Sequence, residues 1–135
     1  MSSKIYDFQI QTKKSDEFIN ITNDINNIIG KNEIKDGLAI IFCPHTTAGI
    51  TINENADPDV VRDIIYGLDK IYPVHGDYKH FEGNSHAHLK ASTFGFSQTL
   101  IISNGKLLLG TWQGIYFCEF DGPRIRKVHI KIISC

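Results

Sequence analysis

Four of the six histidines, His75, His80, His86 and His88, fall within residues 75–88 of a 135-residue chain, a concentration far above proportional scatter. Neutral imidazole is the commonest protein ligand of zinc and other late first-row metals, and three imidazoles with an open fourth position make a catalytic arrangement. His86 and His88 stand two residues apart and point differently on a helix, so only one of them is expected to join His80. A third ligand must come from elsewhere. His45 is the candidate, because it stands where the apolar run Leu38–Cys43 ends, a usual place for a side chain to face a cleft. The plainer alternative is a set of exposed loop histidines that titrate freely.

Other residues add weaker signals. Thr46 and Thr47 can orient a substrate or donate to a phosphate, and a turn held by hydroxyl-to-backbone bonds explains them as well. Glu119, two residues before Asp121, is a general base if buried near the histidines and a solvated strand carboxylate otherwise. Asp57-Pro58 reads as a helix cap and first-turn proline, leaving Glu54 and Asn55 beside free amides that suit an anion. Gly110-Thr111-Trp112-Gln113-Gly114 interrupts a strand with two glycines and marks a bulge, a subunit contact or a ligand platform. Arg124, Arg126, Lys127 and Lys131 bunch locally, as a site for one small anion or as a solvated face.

The elements that must position these residues follow from periodicity. Tyr6, Phe8 and Ile10 alternate within Lys4–Thr12 and predict a half-buried opening strand. Phe18, Ile21, Ile25, Ile28 and Ile29 then recur at helical spacing, predicting one helix capped by Ser15 and ended at Gly30. The continuous run Leu38–Cys43 predicts a strand buried on both faces. Extended chain at Ile50–Asn53 leads to a second helix through Val61, Ile64, Ile65 and Leu68. Tyr72–Ser85 has no period and reads as a functional loop, followed by a short helix over about His86–Phe94. The remainder predicts strands at Gln98–Ile102, Lys106–Leu109, Trp112–Phe120 and Arg126–Ile133, with turns at Asn104-Gly105 and Asp121-Gly122-Pro123. In the last strand Val128, Ile130 and Ile132 oppose Lys127, His129 and Lys131, one face buried and one wet.

The sum is a compact single α+β domain over residues 1–135, with mostly antiparallel strands in a sandwich-like core and two main helices. Fourteen Lys and Arg against fifteen Asp and Glu give a net charge of -1, which disfavours nucleic acid as a partner. Three cysteines, Cys43, Cys118 and Cys135, form no Cys-x-x-Cys pair, and two lie in apolar runs. A reducing, cytoplasmic location fits them, and no apolar stretch reaches the ~18–20 residues of a membrane span.

Taken in order, His45-Thr-Thr-Ala-Gly-Ile-Thr-Ile-Asn-Glu-Asn-Ala-Asp-Pro, His80-Phe-Glu-Gly-Asn-Ser-His-Ala-His88-Leu-Lys, Gly110-Thr-Trp-Gln-Gly-Ile and Glu119-Phe-Asp-Gly-Pro-Arg124 closely resemble the YjbQ-like family over nearly the whole chain. Members of that family are mostly uncharacterised or described as secondary thiamine-phosphate synthases. The resemblance implies a compact homotrimer with a histidine site near a subunit boundary. It implies metal ligands at His45, His80 and His88, which selects His88 over His86. Glu82 and Glu119 stand as catalytic carboxylates, and Thr46, Thr47, Asn84, Gln113 and Arg124 as contacts to a phosphorylated small-molecule substrate. The cofactor expected is a divalent transition metal, zinc by its donor set, or magnesium with a diphosphate substrate. The implied reaction joins hydroxymethylpyrimidine diphosphate to thiazole phosphate. Metal-assisted hydrolysis and non-catalytic metal or anion binding are the alternatives.

Overall fold

The computed structural model describes residues 2–135, with side chains from Lys4 onward. In chain order the elements are β1 (Ser2–Gln11), β2 (Glu17–Asn20), α1 (Thr22–Lys31), β3 (Gly37–Phe42), β4 (Ala48–Glu54), α2 (Pro58–Ile71), α3 (Ser85–Phe94), β5 (Ser97–Ser103), β6 (Lys106–Leu107), β7 (Gln113–Glu119) and β8 (Ile125–Ser134). The strands form a five-stranded sheet ordered β1-β8-β3-β5-β6 and a three-stranded sheet ordered β2-β7-β4, with every pairing antiparallel. This is the α+β, sandwich-like architecture that the alternating strands predict. No helix among the described residues is long and apolar enough to cross a membrane.

Strand alternation explains the layers. Ile10 of β1, Ala39 and Ile41 of β3, Val128, Ile130 and Ile132 of β8, and Ile115 and Phe117 of β7 all enter one core between the sheets, which α1 closes with Ile25 and Ile29. The intervening β7 residues, Tyr116 and Cys118, point the other way. They meet Leu68 of α2 and Ala87 and Ala91 of α3 in a second core, so β7 is buried on both faces. In that second core Phe18, Phe94 and Phe120 pack edge to face, with centroids 5.4–6.1 Å apart.

Two expectations are corrected. The helix from Ser15 to Gly30 is split: Glu17–Asn20 pairs with β7 through Phe18↔Cys118 and Ile19↔Phe117, and the helix starts only at Thr22. Pairing places Phe18 in the second core and Ile19 against the first, and tertiary contact overrides helical spacing. Asn20 ends the strand by accepting from the Thr22 amide and hydroxyl at 3.0 and 2.7 Å. Ser15 makes no cap; its carbonyl accepts from the Gly122 amide at 3.1 Å. The β3 run is buried on one face only, since Leu38 and Phe42 remain 38% and 45% exposed on the outer side of the five-stranded sheet.

Helix α3 is fixed from two sides. Against β4 it approaches so closely that a Cβ on Gly49 would lie 2.7 Å from the Gly95 carbonyl oxygen. On its other side the fully buried Lys90 donates to Asp16 at 2.8 Å and to Asp69 of α2 at 2.5 Å. Burial opposes the ammonium charge, but the two carboxylates outweigh it and hold the Lys90 pKa above its ordinary value. The consequence is a rigid placement for the first turn of α3, which carries Asn84 and His88.

Candidate active site

Where the inward alternation of three strands reaches one end of the sandwich, the residue types change. β1 runs Ile10 then Thr12, β7 runs Phe117 then Glu119, and β8 runs back from Val128 to Arg126. All three polar residues are buried, Glu119 completely. Glu119 Oε1 accepts from Thr12 Oγ1 at 2.8 Å and Arg126 Nε at 2.7 Å, while Oε2 accepts from Arg126 Nη2 and the Asp121 amide. Four donors thus fill the carboxylate, and the bidentate fork holds the guanidinium in one plane. Arg126 Nη2 also donates to Thr47 Oγ1 at 2.9 Å. Nη1 has no partner among the described residues and is left to the cleft that Arg126 lines.

That cleft has a volume of about 350 Å³ and is bordered by His45, Thr46, Thr47, Glu82, Asn84, His88, Asp121, Arg124 and Arg126. One wall comes from the chain leaving β3. Pairing of β3 with β8 ends at Phe42↔His129, and the Lys127 amide beyond it would be unpaired. His45 fills the gap, its Nε2 accepting from that amide at 2.9 Å. A neutral imidazole has one lone pair, so this bond places the ring hydrogen on Nδ1 and makes His45 a donor. Burial, with the nearby Arg126 charge, lowers the His45 pKa below its ordinary 6.5 and keeps the ring neutral. Next to it, burial pushes the Cys43 thiol up to about 11, so it is no thiolate nucleophile.

The opposite wall is the start of α3. The buried Asn84 donates through Nδ2 to Glu82 Oε2 at 3.0 Å and to Asp121 Oδ2 at 2.8 Å. Arg124 spans the same carboxylate, with Nη2 2.8 Å from Asp121 Oδ2 and Nε 2.8 Å from the Asp121 carbonyl. Its amide donates to Thr12 Oγ1 at 2.8 Å, tying this corner to the Glu119 network. The Ser85 and His86 amides have no acceptor among the described residues, so the helix offers two free donors beside Asn84.

Of the residues expected at the site, His45, Thr46, Thr47, Glu82, Asn84, His88 and Arg124 border one cleft. His80 is beside it, its ring edge-on to His88 with centroids 5.4 Å apart. Two others take different roles. Glu119 cannot act as a general base, because all its acceptor positions are filled; it anchors Arg126 instead. Gln113 starts β7 at the far end from Glu119, about 20 Å away along the strand. Its Oε1 closes the bulge by accepting from the Gly110 amide at 2.8 Å, so within one chain it does not reach the cleft. Thr12 and Asp121 are additions to the sequence reading, and Arg126 enters it only as one of the locally bunched basic residues. Extending the alternation Val128, Ile130, Ile132 backward places Arg126 on the buried face, and the same step from Ile10 places Thr12. Asp121 reads only as a turn residue.

The implied imidazole metal needs a free ring lone pair from each of its three ligands. With its lone pair committed to Lys127, His45 offers none to an ion, and the three imidazoles do not fit a shared metal in this arrangement. Among the described residues no group of three or more His, Cys, Asp or Glu side chains is gathered as a metal shell.

Comparison with known proteins places these features. The family model described as UPF0047 protein YjbQ-like matches residues 6–135. The chain is 56% identical over 127 residues to UPF0047 protein YugU of Bacillus subtilis, covering 93% of this chain and 96% of that protein. It is 55% identical over 130 residues to UPF0047 protein MJ1081 of Methanocaldococcus jannaschii, covering 96% and 94%. Among solved structures, an uncharacterised yjbq/upf0047 protein of Clostridium acetobutylicum superposes with a TM-score of 0.93 at 63% identity, covering 95% of this chain and 99% of that one. A hypothetical protein of Aeropyrum pernix, APE1520, gives 0.93 at 31% identity, covering 98% and 99%.

Two outcomes follow from the network. Arg126→Met strands the Glu119 charge and lowers unfolding free energy by about 3–5 kcal/mol in urea titration, whereas Arg126→Met combined with Glu119→Leu recovers most of that loss. For His45 the unfolded ring takes up a proton before the folded one. Its contribution is therefore full above its ordinary 6.5 and is lost as pH falls toward the lower folded value. Urea midpoints at about pH 7.5 and about pH 5.5 are expected to differ more in the native protein than in His45→Gln.

Proposed function

The chain belongs to the YjbQ-like UPF0047 family, and on that premise we propose that it is a small-molecule enzyme acting on a phosphorylated substrate, in the manner of the secondary thiamine-phosphate synthases. The observation that carries this reading is the convergence of Arg126, Arg124 and His45 on one cleft. Every one of these groups donates hydrogen bonds. A departing phosphate or diphosphate gathers negative charge as its bond to carbon breaks, and donors fixed in advance favour that state over the ground state.

In the implied reaction the thiazole nitrogen attacks the methylene carbon of the pyrimidine diphosphate. The carbon–oxygen bond breaks, and diphosphate leaves with the electron pair. Arg126, locked by Glu119, would hold the leaving group in a fixed direction. Arg124, half exposed, would turn from Asp121 to cover it. Thr46 and Thr47 would orient the phosphate ester, and His88 the heterocycle, because holding the reacting atoms in line removes part of the entropic barrier.

The same reading makes the protein a cytoplasmic homotrimer. Supporting assembly, the outer face of the five-stranded sheet carries exposed Ile5, Leu38, Phe42 and Ile101, and Phe42 also lines an apolar recess with Pro44 and His45 at the edge of the cleft.

Thiamine phosphate formation from the two half-molecules, followed by chromatography, is the test, with sedimentation run on the same sample. Native protein is expected to form product and to sediment as three chains. Arg124→Gln and His88→Ala are each expected to slow formation, Arg124→Gln by on the order of 10²-fold. Absence of product together with absence of diphosphate binding at millimolar concentration would overturn the proposal.

A further inference from the structure

The sole tryptophan of the chain is displayed rather than buried: Trp112 is 63% exposed. The loop that carries it is stiff. The Trp112 carbonyl accepts from the Asn55 amide at 2.9 Å, the Gly110 carbonyl from the Gln113 amide at 3.1 Å, and Gln113 Oε1 from the Gly110 amide at 2.8 Å. Asn55 packs so closely over Gly114 that a Cβ there would lie 2.5 Å from Asn55 Nδ2. A large apolar ring held out on a fixed backbone loses little freedom on contact, which is the property of an interface anchor.

A cavity of matching character lies at the other end of β7. The apolar recess at the edge of the cleft has a volume of about 420 Å³, with Phe42, Cys43, Pro44 and Phe96 in its wall. That admits an aromatic side chain, which buries about 150–250 Å². Trp112 does not reach the recess of its own chain. The recess adjoins Thr47, whose carbonyl accepts from the Phe120 amide at 3.1 Å, and β7 separates Phe120 from Trp112 by about 20 Å. The charges around the two also match. Trp112 stands next to the Gln113↔Glu54 pair, with Asp57 and Asp59 following at the head of α2. Phe42 pairs with His129, which lies between Lys127 and Lys131 on the outer face of β8, where Asp7 stands 4.0 Å from His129.

We infer that Trp112 of a second copy of this chain occupies the recess and completes the cleft. Recess and cleft share Pro44, His45 and Thr46, so the incoming indole becomes a wall of the site, and each site is whole only between two copies. Contact of one patch with a different patch repeats from copy to copy until the ring closes. The inference rests on the assembly in the proposed function and adds which side chain crosses the boundary and what it completes.

Because the chain has one tryptophan, its fluorescence reports the surroundings of Trp112 alone. Assembled native protein is expected to emit at shorter wavelength than a water-exposed indole, and to shift to the longer wavelength on dilution as sedimentation shows the copies separating. Trp112→Ala and Phe42→Asp, at exposed positions outside both cores, are each expected to sediment as single chains with native far-ultraviolet circular dichroism. Phe42→Asp is expected to emit as exposed indole throughout. Mixed, the two variants are expected to associate and the emission to return toward shorter wavelength, since one still carries the ring and the other the recess. The inference is overturned by native protein that stays a single chain, by exposed emission from the native assembly, by Trp112→Ala that assembles as the native chain does, or by a mixture that emits like Phe42→Asp alone where native protein is assembled. Thiamine phosphate formed by an assembly whose Trp112 is exposed leaves the enzyme reading standing without this contact. A buried Trp112 in an assembly that neither forms product nor binds diphosphate does the reverse.

Discussion

A carboxylate with no exposure, locked to a guanidinium at the end of the inter-sheet core, is the interaction around which the rest of the site is arranged. Removing both charges from water is expensive, and their attraction repays this only when the remaining hydrogen-bonding positions are filled. Glu119 has them filled by Thr12, Arg126 and the Asp121 amide. Each of those bonds reaches a different segment: the end of β1, the start of β8, the turn between β7 and β8 and, through Arg126, Thr47 ahead of β4. The pair therefore fixes four pieces of chain against one another, which an apolar rung at the same level would do without direction.

The cleft forms there because the sheets run out there. β3 departs at Pro44 and exposes the Lys127 amide, which His45 must satisfy. β7 turns at Asp121 and Gly122, and α3 begins after Asn84 with two amides that have no acceptor among the described residues. Element ends collect unsatisfied backbone groups, and the side chains that answer them are polar and directional. A site built from such ends inherits the stiffness of the sheets on one wall and of the Lys90 anchor on the other. His45 shows how this changes a residue's chemistry. Its type and place suit a metal ligand, yet the bond it makes to the backbone turns it into a hydrogen-bond donor.

Asp121 and Arg124 bear on the same question of charge. Both stand within a turn motif, Asp121-Gly122-Pro123-Arg124, whose local role is to reverse the chain between β7 and β8. In the fold they also form an ion pair at the cleft, beside Glu82 and Asn84.

Much of the architecture was legible in the chain itself. The alternation of β1 and β8, the cap and proline of α2, the span of α3 and the turns at Asn104-Gly105 and Asp121-Gly122 are local patterns, set by side-chain period and backbone preference over a few residues. So was the neighbourhood of the site, since His45, Glu82, Asn84, His88 and Arg124 do border one cleft. What the tertiary structure alone decided was pairing. Phe18 and Ile19 became a strand because β7 had an open edge for them, Gln113 was carried to the far end of that strand, and the lone pair of His45 and both oxygens of Glu119 were committed to groups 82 and as many as 107 residues away in sequence. Residue type determines what a side chain is able to donate, accept or bind. Only the folded chain determines which partner reaches it first, because hydrogen bonds are short and directional, and a group already satisfied has nothing left for a ligand.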